Sequence, residues 1–369
     1  MPEFPGLIKS KLPKVQTTIF TVMSRLAHEH QAINLSQGFP DFESDDALKD
    51  LVHLAMKKGH NQYAPMAGLM ELREQIAIKT QNLYGTIYHP DTEITVTAGA
   101  TQAIYTAISA VIHEGDEVII FTPAYDCYEP AVEMNGGRAA IVQLRAPDYK
   151  IDWTHVRKLI NPRTKMIIIN TPHNPTGTML DKEDFIALEK LIANTDIILL
   201  SDEVYEHIVF DDNKHYSAAM FPKLAERSFI VASFGKTFHN TGWKLGYCIA
   251  PEMLMNEFRK VHQYIVFSVN TPMQYALAEY LKNENNYLRL GSFYQQKRDF
   301  FINAIRNSKF EIIPSKGTYF QLLGYKKISH EKDTDFAVSL TVDYKMLRFC
   351  FAKKTETLAK AAEILNKIV

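Results

Sequence analysis

The chain has 369 residues, 46% hydrophobic and 22% charged, and its 41 lysines and arginines nearly balance 42 acidic residues for a formal net charge of −1. So even a balance sets up no field for nucleic acid or an anionic membrane, and the composition is far from the disordered or low-complexity extremes. The length accommodates two domains or one large domain with an appendage, while three cysteines, Cys127, Cys248 and Cys350, suggest neither a disulfide framework nor a zinc site and fit a reducing cytoplasm.

The opening residues, MPEFPGLIKSKLPKV, hold two early prolines and no uninterrupted apolar stretch of signal-peptide length, and no later run is long enough to span a bilayer. A soluble, cytosolic protein is expected. TTIFTVMSRLAHEH then places Ile19, Met23, Leu26 and Ala27 on one helical face, so residues 1–34 read as an arm ending in an amphipathic helix. Its HEH at 28–30 lacks the HExxH spacing of a zinc helix, and no metal site is expected. NLSQGFPDF breaks the helix with glycine and proline. Two further helices are predicted, one on Ala47, Leu48, Leu51, Leu54 and Ala55, the other on Leu69, Leu72, Ile76 and Lys79.

From Glu93 the pattern changes to short apolar runs bounded by turn residues: ITVTAG, EVIIFTP, AAIVQL, KMIIINTP, DIILLSDE, FIVASFG and LGYCIAP. Runs that are apolar throughout predict strands covered on both faces, as in a mainly parallel sheet with flanking helices. Helical stretches between them supply the cover, with Ile104, Ala107, Ile108, Val111 and Ile112 on one and Phe185, Leu188, Leu191 and Ile192 on another. NGGR at 135–138 reads as a hairpin-like turn. These features predict an α/β domain over 35–270. The remainder, 271–369, reads as a smaller α+β domain: a long helix from Tyr275 to Asn307, strand-like FEIIPSKGTYFQLLGY and KMLRFCFA, and a last helix TETLAKAAEILNKIV.

In an open parallel sheet, ligands bind beyond the carboxyl ends of the strands. In chain order the residues there are Gly99, Ala100 and Thr101; Tyr125; Asn174; Asp202 and Tyr205; and Ser233 and Lys236. TAGATQAI forms either an anion site at a helix N-terminus or an ordinary strand-to-helix turn with Thr101 as N-cap, and neither GxxxxGK nor GxGxxG is present. NTPHNPTG is a turn whose Asn174 amide faces a ligand on the functional reading, and His173 either lines a site or packs. Asp202 either caps the next helix or is buried, in which case it needs a cationic partner that nothing nearby in sequence supplies. Lys236 is the informative member. A lysine after FIVASF, between glycine and threonine, is poorly placed as a surface charge, and an amine of lowered pKa forms a Schiff base with a carbonyl and moves protons. Lysine, distant aspartate, asparagine, tyrosine and an anion-binding helix together point to pyridoxal phosphate.

NTPHNPTG, SDEVYEHI and SFGKTFHNTGWKLGY resemble the fold-type I, class I/II aminotransferases, above all the bacterial methionine aminotransferases and the kynurenine aminotransferase group. The likeness runs over nearly the whole chain, through NLSQGFPDF, NQYAPMAG, TAGAT and RFCFAKK. It implies that Lys236 binds the cofactor's carbonyl carbon and carries the proton shift, that Asp202 pairs with the pyridine nitrogen, and that Tyr205 and Asn174 bond the ring hydroxyl. Tyr125 would stack on the ring. Ala100, Thr101, Ser233 and Lys244, at the turn made by Gly99, would hold the phosphate, with Tyr63 reaching it from a second subunit of a homodimer; the N-terminal arm would pack with the small domain or that partner. Arg348 resembles the arginine that binds the substrate carboxylate, with Asn174 and Gly38 beside it; its plainer reading is a surface arginine on an edge strand. Ile19, Phe20, Tyr63 and Phe267 would surround an apolar, thioether or aromatic side chain.

The implied activity is transfer of the amino group of an L-amino acid to a 2-oxo acid by a ping-pong mechanism, with methionine first and aromatic amino acids or kynurenine next. A cysteine-conjugate β-lyase shares fold and cofactor, and a non-catalytic regulatory module is the alternative of another class, although no basic helix-turn-helix segment is present. Between Leu340 and Lys345 the sequence is shorter than the family pattern, which completes there a helix begun at Asp335 and adds a strand-turn segment over part of the site. Residues omitted from the written chain are the expected reason, and an intact mass of 42.2 kDa would exclude it.

Overall fold

The computed structural model describes residues 1–329 and 346–368. Each unbroken apolar run becomes a strand of one seven-stranded sheet: β1 (Ile94–Thr97), β2 (Glu117–Thr122), β3 (Arg138–Gln143), β4 (Thr164–Asn170), β5 (Ile198–Asp202), β6 (Ser228–Ser233) and β7 (Gly246–Ile249), in the order β1-β7-β6-β5-β4-β2-β3. All pairings are parallel except those of β7, which runs antiparallel to both β1 and β6. The runs lack alternation because both faces are covered. Ile119, Phe121, Ile167, Ile169 and Leu199 enter one buried cluster, and Val118, Ile120, Met166, Ile168 and Leu200, their neighbours in sequence, enter the other.

The helices that cover these faces are α1 (Ile19–Glu29), α2 (Asp46–Lys57), α3 (Met70–Tyr84), α4 (Ala100–Val111), α5 (Tyr128–Met134), α6 (Trp153–Leu159) and α7 (Lys182–Ile192). Further along come the short α8 (Pro222–Ala225) and α9 (Phe234–Thr237), then α10 (Glu252–Ile265). Their ends are set by local chemistry. Asp181 and Asp184 form a reciprocal capping box at the start of α7, and Trp153 Nε1 donates to Asp184 Oδ1 at 2.8 Å, tying α6 to that cap.

Several expectations need correction. NGGR is not a hairpin: Asn135 ends α5, Gly136 takes a φ of +80°, and β3 begins at Arg138, so the turn returns a crossover helix to the parallel sheet. Thr101 is not an N-cap, because Gly99 holds that position on α4. No helix begins at Asp202; the chain turns there instead. The single helix expected from Tyr275 to Asn307 is three, α11 (Thr271–Tyr280), α12 (Asn285–Leu288) and α13 (Leu290–Ile305). The break falls at KNENN, where Asn286 Nδ2 donates to Tyr280 O and Asn285 N to Asn283 Oδ1, side-chain contacts that compete with the helical ladder.

A second, antiparallel sheet of β8 (Glu311–Ile313), β9 (Phe320–Gly324) and β10 (Met346–Cys350) has the order β10-β9-β8. The last helix, α14 (Thr355–Leu365), packs on α13, whereas α11 packs on α2 and α3. The stretch from Asp335 to Lys345, where the sequence runs short of the family pattern, lies outside the described residues. Among the described residues no helix is long and apolar enough to cross a membrane.

Candidate active site

Parallel register brings the strand ends together: Asn170 of β4 pairs with Asp202 of β5, Asp202 with Val231 of β6, and Ser233 of β6 with Gly246 of β7. Beyond this edge lies a cavity of about 260 Å³. At its floor Asp202, 3% exposed, accepts from Tyr128 OH at 2.6 Å and from Val204 N at 3.3 Å. Burial pushes its carboxyl up to about 6, against the pull of Tyr128 and Val204, with Glu203 adding to the rise and Lys236 opposing it. Among the described residues no cation forms an ion pair with it. Asn170 braces this floor, donating through Nδ2 to Asp202 O at 2.9 Å and accepting from Asn174 N at 2.7 Å.

Lys236 stands on α9, directly after β6, so the strand end delivers its amine into the cavity. Its Nζ is 3.5 Å from Gly38 O and lies over the rings of Tyr319 and Tyr205, at 5.7 and 5.9 Å from their centroids. Burial brings the amine down to about 8; the positive charges of Arg348 and Lys244 act in the same direction.

Another part of the lining gathers a helix start and an ammonium, groups that can hold an anion. Helix α4 starts at Gly99 with no side-chain cap, and Lys244, held at a left-handed φ of +56°, brings its ammonium against that start: a Cβ on Gly99 would lie 3.6 Å from Lys244 Nζ. Gly246 lets β7 approach so closely that an added Cβ would sit 2.6 Å from Ala232 O and 3.1 Å from Ala100 N. Thr101 and Ser233 contribute hydroxyls to this wall, and the Thr101 hydroxyl hydrogen-bonds the Tyr125 phenol at 3.1 Å. Burial raises the Tyr125 phenol to about 12.

Arg348 comes from the other sheet. Although β10 is an edge strand, this arginine is no surface residue: its Nη1 donates to Asn174 Oδ1 and its Nη2 to Ser36 O, both at 2.9 Å, and its guanidinium lies 4.1 Å over the Phe320 ring. Gly38 accepts from Tyr319 OH at 2.6 Å, and its Cβ would collide with Phe320 at 2.5 Å. Tyr205 completes the wall. The residues expected at the strand ends, with Gly38, Lys244 and Arg348, therefore face one cavity.

Tyr63 and Phe267 do not line it. They are 80% and 50% exposed and pack edge to face, ring centroids 5.1 Å apart. Ile19 and Phe20 open α1, and their side chains lie outside what the structure describes. His173 takes the packing role: it is buried, its Nδ1 sits 2.6 Å from Thr176 Oγ1 within the 170–177 turn, and burial lowers it to about 4. Tyr128, Asn170, Phe320 and Tyr319 were not legible as site residues. For Asn170 the signal was available, since it ends an apolar run; Tyr128 lies three residues after Tyr125, less than one helical turn, while Phe320 opens a distant strand and Tyr319 directly precedes it.

A sequence profile of the family "Aminotransferase class I and II" matches residues 30–365. The chain belongs to this family. It is 48% identical to the methionine aminotransferase of Escherichia coli K12 over 382 aligned positions, 99% of either chain. It is also 32% identical to a kynurenine–oxoglutarate transaminase of Dictyostelium discoideum over 95% of this chain and 94% of that one. Among solved structures, E. coli YbdL, described as having a methionine aminotransferase function, superposes with a TM-score of 0.96 at 48% identity, covering 98% of this chain and all of the other. Aspartate aminotransferase of Thermus thermophilus with maleate gives 0.89 at 27%, covering 99% and 100%. The protein is thus an aminotransferase of fold type I, and enzymes of this family and fold depend on pyridoxal 5′-phosphate.

Proposed function

We propose that this aminotransferase takes the amino group of L-methionine, and less readily of aromatic amino acids or kynurenine, and passes it to a 2-oxo acid in two half-reactions. The observation that carries the site assignment is Asp202, a buried carboxylate with no ion pair among the described residues, facing a cavity that also holds an anion cradle and an amine of lowered basicity. A cationic ring nitrogen, a phosphate and a carbonyl are the chemical complements of these three features, so the residues fit the cofactor.

Bound pyridoxal phosphate supplies a carbonyl that receives the amino group and a ring that accepts electrons. Lys236 Nζ would hold the cofactor at its carbonyl and, once freed by the incoming amine, would be the group that takes up and returns a proton. Asp202, ionised once a cation faces it, would hold the ring nitrogen in its protonated form. Tyr205 and Asn174 would hold the ring hydroxyl, Tyr125 would pack on the ring, and Ala100, Thr101, Ser233 and Lys244, around the Gly99 turn, would hold the phosphate. Arg348 binds the substrate carboxylate through its planar fork, already oriented by Phe320 and assisted by Asn174 and Gly38.

The preference for methionine rests on the 48% identity with the E. coli enzyme and on Phe39 and Phe320 adding apolar surface to the cavity. The homodimer rests on Tyr63 and Phe267, paired aromatics left exposed by their own chain, which a second copy would cover and which, with Ile19 and Phe20, would complete its neighbour's site. The proposed domains are the arm 1–34, the cofactor domain 35–270 and the small domain 271–369, with α11 bridging the last two. Three free cysteines favour the cytoplasm.

The test is spectral. The visible absorption band of the holoenzyme is recorded and bleached with a panel of L-amino acids, the oxo acid formed being quantified. Methionine is expected to react fastest, with one oxo acid per amino group. Release of ammonia and pyruvate from cysteine conjugates without that stoichiometry would instead mark a β-lyase. Lys236→Ala is expected to lower turnover by about 10³-fold or more, and full turnover in this variant would sink the mechanism.

A further inference from the structure

We propose that a buried cluster of Lys79, Glu206 and Tyr247, behind the cavity and outside it, positions Tyr205 and the strand end carrying Lys236. The proposal rests on the roles given above to those two residues.

At the end of β5 and in the turn after it, the side chains divide between two sides. Asp202, Val204 and Tyr205 line the cavity, whereas Glu203 and Glu206, 1% and 8% exposed, are held from behind. Glu203 Oε1 accepts from Ser201 Oγ at 2.7 Å and Ala218 N at 3.0 Å, and its Oε2 lies 3.1 Å from His215 Nε2. Glu206 Oε1 accepts from Lys79 Nζ at 2.6 Å and Tyr247 OH at 3.1 Å, and Oε2 from Tyr84 OH at 2.6 Å; Lys79 Nζ also donates to Tyr247 OH at 2.7 Å. His207 Nε2 stands 3.6 Å from Glu206 Oε1. The space left between the two carboxylates is about 10 Å³, room for one water at most.

The cluster reaches the second catalytic element through Tyr247. This residue pairs with Ala232 on β6, one position before Ser233, and its ring lies 5.2 Å from that of Phe234, two residues before Lys236. A buried ion pair is often no more stabilising than apolar residues of the same volume. What several directional hydrogen bonds to one carboxylate do supply is a fixed angle for the adjacent peptide, and hence for the Tyr205 ring.

The experiment compares wild type, Lys79→Met, Glu206→Gln, the double variant and Tyr247→Phe as holoenzymes. Each is followed by thermal midpoint, by kcat and KM for the amino donor, by the pH midpoint of the visible band and by cofactor affinity of the stripped protein. Lys79→Met alone strands a buried carboxylate and is expected to melt several degrees lower. The double variant strands no charge and is expected to melt within about two degrees of wild type. Its kcat should nevertheless fall about 10- to 100-fold at little-changed KM, with a displaced band midpoint and weaker cofactor binding. A folded double variant with wild-type kcat, band and affinity overturns the proposal. Should the double variant not fold, Tyr247→Phe, which removes one hydroxyl and no charge, decides by the same readouts. Wild-type turnover and its loss in Lys236→Ala establish the underlying reading separately; turnover retained in Lys236→Ala overturns both.

Discussion

Asp202 and Lys236 are held off their ordinary ionisation by the same burial, with opposite signs along the pH axis. Below about pH 4 Asp202 is protonated folded or unfolded and contributes nothing; above about 6 it is ionised in both, and burial then costs the cofactor-free fold about 3 kcal/mol. Between these limits the folded state binds the extra proton, so stability falls as pH rises. Lys236 behaves conversely: between about 8 and 10.5 the unfolded chain holds the extra proton, so stability rises with pH. Cofactor-stripped Asp202→Asn is therefore expected to be more stable than wild type above pH 6, by up to about 3 kcal/mol, with the advantage fading toward pH 4, while binding the cofactor more weakly. Urea midpoints across that range measure it, and a less stable variant at pH 7 would reveal a cationic partner. Arg348→Lys keeps the charge but loses the fork and its stacking on Phe320, so KM for the amino donor should rise about 10- to 100-fold with cofactor affinity unchanged; an unaltered KM would remove Arg348 from carboxylate binding.

At the scale of elements, the site is a consequence of register and of two close approaches. Because Asn170, Asp202 and Val231 lie side by side, and Ser233 opposite Gly246, groups distant in sequence meet at one edge. Gly246→Ala would drive β7 against Ala232 O and the start of α4. We expect a loss of about 1–3 kcal/mol in chemical denaturation together with weaker cofactor binding; weaker binding without destabilisation would show that strand separation is not the cause. These strand ends were legible because a run covered on both faces is apolar throughout and stops where the chain leaves the sheet. The break between α11 and α12 was not, since Tyr280 and Leu281 recur seven residues on as Tyr287 and Leu288, a helical spacing that runs through KNENN. NGGR misled for a related reason: glycines mark a turn but do not say which elements it joins.

At the scale of the whole molecule, the homodimer makes a sharp prediction. If Tyr63 serves the neighbouring subunit, Tyr63→Ala and Lys236→Ala are each impaired alone, yet after subunit exchange half of the dimers carry one intact site, and about a quarter of wild-type activity returns. Sedimentation checks the dimer, and no recovery in an exchanged mixture would place Tyr63 outside the shared site. By itself the amino-acid sequence determined the seven strands of the main sheet, the placing of Lys236 just beyond the end of one of them and the family, since these depend on local patterning and ordered motifs. Tertiary structure alone decided that Asp202 has Tyr128 for a partner, that Arg348 leaves an edge strand to meet Asn174 and Ser36, and that Glu206 and Lys79 close a buried cluster behind Tyr205. Those pairings join residues from 74 to 312 positions apart, and no periodicity within a strand or helix encodes which distant surface it will meet.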